Sequence, residues 1–510
     1  MSSTDGEIVQ GSREFKLLLA GLVITLFLSA LDNTIVATAM PTIVGDLGGF
    51  KRYTWATTAY VVASTISTLV LGKLSDLYGR RKVYLITIVA FLATSALCGL
   101  AQTMNQLIAF RTLQGLGGGG IWSLTFAVVG DVVPPRDRGR YFGLFTSVFA
   151  VASLAGPLLG GLIVGSLSWR WIFYVNLPIG AVAIFMVLRT LHLPAVVRKV
   201  KLDVMGALLV SAFIVTFMIA LEIGSDAGWT SPWVLGLFVL AAVFLVGFAQ
   251  QELRFEEPVT PPRLFRNSIV RTSLLFGFLT GSVMMTVGLF YALYLQNVRL
   301  LSPQRSGILT VPMMVGMTVA STLTGRYISR SGHYRRTALI GLPLAAGGQL
   351  IGGLVMLRSS STSTIALWLL SSSLLIVGAG MGMTFPTASI SIQNSADPRD
   401  LGIATSTGNF FRNLGSAIGL AVFGSIFNAI VRSNLNAKLP ASAQGGDVFS
   451  VIRTPKKVRA LPDDVRDAVT GSIAAGASRV VLISVGIALL TVVVAWFLKE
   501  EPLRTTNARE

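Results

Sequence analysis

The sequence predicts an all-α integral membrane protein of fourteen spanning helices, set out as two six-helix bundles with two helices inserted between them. Three observations predict it. Of 510 residues, 53% are hydrophobic and only 13% charged, against about 25% charged in a typical soluble chain. The apolar residues fall into runs of about 20, the length that crosses a bilayer as a helix. A glycine-and-arginine loop pattern occurs once in each half of the chain.

The mean hydropathy of +0.70 and the length of the runs leave no room for a water-soluble domain. The net charge is +18, from 41 basic and 23 acidic residues. In a soluble chain this would suggest nucleic acid. Here the basic residues sit in short segments between apolar runs, which is the charge bias of membrane proteins. Cys98 is the one cysteine and forms no internal disulfide. His192 and His333 lie in or beside basic loops, and no metal-ligand cluster stands out.

Spanning helices are expected near 17–38, 55–74, 83–101, 106–130, 141–166, 171–191, 204–223, 232–250, 269–295, 306–328, 337–357, 364–392, 403–430 and 478–498. Residues 1–16 are polar, and the first run is long enough to span, so it reads as the first helix rather than a cleaved signal. An even number of spans puts both termini on one side. Alternate loops hold Lys73 and Arg80–Lys82, then Arg136–Arg140, then Arg198–Lys201, then Arg326–Arg336. The intervening loops are poor in charge, so the basic side and both termini face the cytoplasm. The exception is the long segment 431–477, read as an external loop with a short helix near 462–470.

The loop Gly72-Lys-Leu-Ser-Asp-Leu-Tyr-Gly79-Arg-Arg-Lys82 pairs with Gly325-Arg-Tyr-Ile-Ser-Arg-Ser-Gly332-His-Tyr-Arg-Arg336. If they correspond, the second helix matches the tenth, and the seventh and eighth are the insert. The division is a tail at 1–16, a first bundle at 17–191, and a linker with two inserted helices at 192–268. A second bundle at 269–498, with the loop 431–477, and a tail at 499–510 complete it.

Gly72–Lys82 resembles the loop signature of the major facilitator superfamily. In that family the loop latches the cytoplasmic gate, which assigns a gating role here to Gly72, Asp76, Gly79, Arg80 and Arg81. Asp131, at the end of the fourth helix, is the expected partner of this charge cluster. The stretch Leu107–Gly117, with Arg111 and Gln114, resembles the family's fourth-helix motif, whose arginine is associated with proton transfer. Ala152-Ser-Leu-Ala-Gly156-Pro157-Leu-Leu-Gly160-Gly161 resembles the fifth-helix motif of the antiporters, with Ala152 in place of its first glycine. There the implied role is a bend that resists leak.

Leu31-Asp32-Asn-Thr-Ile-Val-Ala-Thr-Ala-Met-Pro41 resembles the first-helix motif of the fourteen-helix drug:proton antiporters. Trp169–Gly180 and Asn409–Gly415 are also similar to that branch, so the resemblance covers nearly the whole chain. At about 1.5 Å per residue, Asp32 lies roughly 20 Å from the inner edge of an approximately 30 Å core. Arg111 lies roughly 7 Å from the outer edge by the same rise. The depths agree, so the two can pair or compete for a proton.

Cavity linings are expected among Asn33, Gln114, Trp122, Glu222, Tyr291, Gln296, Asn409 and Arg412. The later helices depart from relatives that use extra acids for cations: Ser329 stands where a second Asp76 would be, and the interiors hold no carboxylate. Arg412 offers to receive an anionic group instead.

The resemblance implies a proton-coupled antiporter that exports amphipathic drugs across the plasma membrane as a monomer among lipids. No cofactor is expected beyond the proton gradient. Lipid, siderophore or amino-acid transport on the same fold is the alternative, and a non-transporting receptor is a further one. An ATPase is excluded by the lack of a phosphate-binding loop, and the glycine run 117–120 falls inside a helix. No Ser-His-Asp or metal constellation suggests an enzyme.

Overall fold

A computed structural model describes residues 12–48, 53–191, 203–358, 363–397, 400–438, 458 and 461–503. Arg198, Lys199, Lys201, Lys456, Lys457 and Arg459, and most of both expected tails, lie outside the described residues.

The first bundle comprises α1 (Arg13–Leu47), α2 (Tyr53–Tyr78), α3 (Arg80–Gly99), α4 (Met104–Val132), α5 (Pro135–Ser166), a short α6 (Trp171–Tyr174) and α7 (Asn176–Thr190). Two helices follow, α8 (Val204–Ala227) and α9 (Pro232–Arg254), then a turn of helix, α10 (Pro262–Arg266). The second bundle comprises α11 (Ser268–Leu293), α12 (Pro303–Ser331), α13 (Arg335–Arg358), α14 (Thr364–Ser395), α15 (Leu401–Lys438) and α16 (Asp463–Trp496). Local chemistry sets several starts. The side chains of Ser12, Thr103, Asp203, Asn267 and Ser302 accept backbone N–H groups at the heads of α1, α4, α8, α11 and α12.

Thirteen of these helical segments are long and apolar enough to cross a membrane. A fourteenth helix of membrane-spanning length, 29 residues, is α4. Four successive glycines with Arg111 and Gln114 dilute its apolar character. Outward faces are greasy, as lipid contact requires: on α9, Trp233 is 83% exposed and Val239 64%.

Within the first bundle α2 packs on α4 and α1 on α5, and within the second α12 and α13 pack on α14 and α11 on α15. The bundles meet along two seams, α5 with α12 and α2 with α15. The inserted helix α8 packs on α9, α2 and α15. It therefore covers one seam, and Val62, Leu69, Phe213, Ile214 and Ile403 share a core there.

The segment 431–477 differs from its expected form. Helix α15 continues to Lys438 and α16 begins at Asp463, so much of the expected external loop is helical. The expected short helix is the head of α16. Val431, Leu435, Val469, Ile473 and Ala477 bury against one another. One-sided burial of this kind sustains helix where average hydropathy has already fallen. Asp463 and Asp464 in the first turn of α16 suit its dipole.

Both described ends of the chain lie at one end of the molecule, here called the terminal end. There α5 and α12 touch so closely that a methyl on Gly325 would overlap the Gly139 backbone, and one on Gly143 would overlap that of Thr322. Gly161 and Gly307 each lie 18 residues further along the same faces (161 − 143 and 325 − 307), which is five whole turns. A methyl on either would meet nothing within 4 Å. The two helices join at the terminal end and part towards the opposite one.

Candidate functional site

Among the described residues, two charged clusters and the cation Arg412 bear on the expected site. The first cluster is built by α1, α4 and α7. Asp32 is 0% exposed and Arg111 1%. Arg111 Nη1 donates to Asp32 Oδ2 at 2.5 Å, while Gln114 Nε2 and Asn176 Nδ2 donate to Oδ1 at 2.9 and 2.8 Å. Arg111 also donates to Gln114 Oε1 at 2.8 Å and stands 4.1 Å over the Tyr60 ring. Asn33 Nδ2 reaches the Tyr60 hydroxyl at 3.3 Å. Breaking such a buried pair from one side costs about 3–5 kcal/mol, because the other charge is stranded. Gln114 therefore belongs to this network rather than to an open cavity wall.

Asn176 was missed as a site residue. Its signal was a lone amide inside the apolar run that follows Trp169-Arg170-Trp171. It also donates to Ser95 Oγ at 3.0 Å, which fixes it in place.

The antiporter-like stretch of α5 lies on α1 beside this network. A methyl on Gly156 would overlap Thr34, and Thr34 Oγ1 donates to Ala152 O at 3.0 Å. Gly160 faces Ile35 and Thr38, and Pro157 lies between them inside the helix. Gly161, expected to pack with its neighbours, faces open space because it lies where α5 and α12 have parted.

The second cluster closes the terminal end. Arg80 pairs with Asp76 at 2.5 Å and with Asp131 at 2.7 Å, and also donates to Ser75 Oγ. Asp76 Oδ2 accepts the backbone N–H of Ile403 on α15 at 3.0 Å. A methyl on Gly72 would overlap Ser406, and one on Gly402 would overlap the Asp76–Arg80 pair. The loop is thus locked to the second bundle. Gly79 holds φ at +91°, which favours glycine. Arg81 stands apart and donates to Leu188 O at 2.8 Å.

Two further ion pairs flank this lock, and sequence reasoning did not find them. Lys73 meets Glu257 at 2.8 Å, and Arg263 meets Asp400 through two bonds of 2.7 Å. Both reach into the segment after α9. Outside the spans, the Asp400 carboxylate raises the Arg263 guanidinium above its ordinary value. Burial pushes the Tyr334 hydroxyl up to about 12, where it bonds Lys499 O and Glu501 N at 3.1 Å.

The other expected cavity residues divide. Trp122 is half-buried and stacks on Phe126, whose ring meets Phe385 of the second bundle at 6.1 Å. Tyr291 is fully buried and shares a hydrogen bond with Ser373 at 3.2 Å, so it packs within the second bundle rather than lining a cavity. Gln296 lies in a π-helical turn, Tyr294–Val298, at the opposite end. Glu222 lies on α8 in the inserted pair, away from the Asp32 network. Asn409 and Arg412 lie together on α15, beside a small pocket between α11, α14 and α15.

A family profile described as Major Facilitator Superfamily matches residues 22–420. The chain belongs to the major facilitator superfamily. It is 34% identical over 506 residues to multidrug resistance protein 3 of Bacillus subtilis (strain 168), covering 98% of this chain and 97% of that one. It is 38% identical to the multidrug transporter protein MdtP of the same organism, over 83% of this chain and 77% of that one. The MFS-type efflux pump LUC4 of a Fusarium species is 34% identical, over 84% and 76%. In fold the chain is similar to the human organic anion transporter MFSD10, with a TM-score of 0.66 at 16% identity, over 95% of this chain and 100% of that one. The superfamily member is an integral membrane transporter with many spans, not an enzyme. Its fourteen helices of membrane-spanning length among the described residues and its efflux relatives agree with the branch that the first-helix motif resembles.

Proposed function

We propose that this transporter exports amphipathic, drug-like molecules across the plasma membrane in exchange for protons, by alternating access between its two bundles. Both termini then face the cytoplasm, in keeping with the basic loops at the terminal end. The observation that carries the reading is a carboxylate, Asp32, sealed inside the helices against Arg111, Gln114 and Asn176. The kinship with a multidrug resistance protein and an efflux pump supports drug-like cargo.

Asp32 is the proton carrier in this scheme. With the opposite end open, a proton reaching Asp32 neutralises it and weakens its hold on Arg111. The state that favours the ion pair is then disfavoured, and coupling consists of that difference. The Asp76–Arg80–Asp131 cluster holds the terminal end shut until this happens. After the switch, the proton leaves to the cytoplasm and cargo enters. The re-formed ion pair restores the closed terminal end with cargo inside. The packing of Gly156, Pro157 and Gly160 on α1 keeps ions from leaking past Asp32.

The test is dye export from proteoliposomes under an imposed pH gradient, comparing the unaltered chain with Asp32→Asn. We expect gradient-driven export to fall at least about 100-fold, the usual lower range for a positioned proton-transfer group. Thermal unfolding and monodispersity in detergent report folding of the variant. Undiminished coupling in a folded variant rules out Asp32 as the carrier.

A further inference from the structure

Arg412, half-buried on α15, has among the described residues neither a carboxylate nor a set of carbonyls to answer its charge. Arg111 has Asp32, Arg80 has Asp76 and Asp131, and Arg138 donates to the carbonyls of Val133 and Gly130 and to Gln393. Arg412 makes one hydrogen bond, from Nη2 to Asn409 Oδ1 at 2.8 Å, and lies 4.7 Å over the Phe385 ring. The sequence explains the absence. Residues 269–396 and 401–446 contain no aspartate or glutamate, so α11 to α15 have no acid to offer, and the aspartates of α16 lie in its first turns. Asp76 lies nearer the terminal end, against Ile403, which is about 14 Å along α15 by helical rise. Asp32 is already held by three donors.

An uncompensated cation in a membrane interior is costly, and such residues mark binding sites or ion pathways. Asn409 adds a second unmet donor. It is buried, and its Nδ2 has no protein partner. Both residues line a pocket whose other walls include Ser273, Gly277, Ser389 and Thr405. Small residues and hydroxyls leave room for a compact acceptor group and give it further donors. Phe385, against the guanidinium face, also touches Phe126 across the bundles. The cation therefore stands beside the aromatic contact where the two bundles meet.

We propose that Arg412 and Asn409 form an anion-recognising subsite, which takes a carboxylate or phosphate group of an amphipathic molecule. The planar guanidinium fork suits either group. The anion supplies the charge that the second bundle lacks. This assignment rests on reading the chain as an exporter, and it adds a cargo class: amphipaths with an acidic head. The anionic group has two possible sources, the cargo itself and a lipid headgroup.

The test measures equilibrium binding without any proton gradient, on the purified full chain in nanodiscs. The probes are a dansyl-labelled undecanoate and its methyl ester, which share one skeleton and differ in charge. In phosphatidylcholine nanodiscs we expect Arg412→Gln to weaken the carboxylate about 10- to 100-fold, the worth of a charged hydrogen bond. The ester should be unmoved. Arg412→Lys should keep part of the difference, and Asn409→Ala should lose a smaller share. Repeating the titration in phosphatidylglycerol nanodiscs separates the sources. Carboxylate binding that survives there assigns the site to cargo, and loss confined to chains with Arg412 intact assigns it to the headgroup. If Arg412→Gln weakens acid and ester equally, or neither, the proposal is overturned and Arg412 is a packing cation. Asp32→Asn should bind the carboxylate normally while losing coupled flux, so failure of the coupling scheme and failure of this subsite are read separately.

Discussion

The two bundles carry the same loop pattern but fill it with different chemistry. In the first, Asp76 and Arg80 make a buried charged knot that grips the Ile403 amide across the seam. In the second, Ser329 replaces the aspartate, and the loop is gripped from outside. Arg136 Nε donates to Ser329 O at 2.8 Å, and Nη2 to Arg330 O at 3.3 Å. The first bundle also holds the Asp32–Arg111 pair, whereas the second holds Arg412 without a carboxylate. Repeats thus preserve backbone geometry while charge is free to diverge. The paired charges lie in the first bundle, and the second offers backbone and Arg412.

The largest test of this asymmetry compares the two grips. Asp76→Asn leaves Arg80 one carboxylate short and weakens the bond to Ile403, so we expect the closed terminal end to lose about 1.5–3 kcal/mol. Arg136→Ala removes an exposed contact and should cost less than about 1 kcal/mol. Spin-label distances between the terminal ends of α2 and α15 would report both, as growth of a longer-distance population. Equal effects from the two substitutions would mean that the loops are equivalent latches despite their chemistry.

Glycine spacing sharpens the comparison along the seam rather than across it. Gly325→Ala puts a methyl into the Gly139 backbone, whereas Gly161→Ala meets nothing within 4 Å. Overpacking of this sort costs about 1–3 kcal/mol. Label distances should show the first variant opening the terminal end and the second leaving it unchanged. A clear shift from Gly161→Ala would mean that α5 and α12 also close together at the opposite end.

Much of this architecture was legible beforehand, for physical reasons. Hydrophobic runs measure bilayer thickness directly, so the helix order was readable. Depth counting brought Asp32 and Arg111 to one level, and the structure joins them. Asp131 was placed beside the loop, and it meets Arg80. What failed was anything set by helix rotation. Tyr291 has cavity-like chemistry, but depth alone does not tell that it turns towards Ser373 inside the second bundle. Lys73–Glu257 and Arg263–Asp400 were invisible because they depend on how the segment after α9 folds back. The extension of α15 and α16 was hidden by mixed composition, since buried Val431, Leu435 and Ile473 are diluted by polar neighbours.

The smallest effect expected lies at the opposite end, where ion pairing is superficial. Asp46 accepts Trp169 Nε1 at 2.7 Å and Arg170 Nη1 at 3.1 Å. The Trp169 hydrogen bond, with Arg170 beside it, holds its carboxyl below the ordinary value. The folded chain therefore binds this proton less tightly than the unfolded one. The stabilisation is complete above the unfolded value of about 3.9 and fades as pH falls through the lower folded value. Asp46→Asn should leave a chain whose unfolding temperature matches the unaltered one at the acid extreme and lies slightly below it at neutral pH. A gap that widened on acidification would reverse the sign and remove Asp46 from the account of this end. The contact joins α1 to the Trp169–Arg170 turn within one bundle. Its loss should leave the distances across both seams unchanged, which separates holding a bundle together from holding two bundles shut.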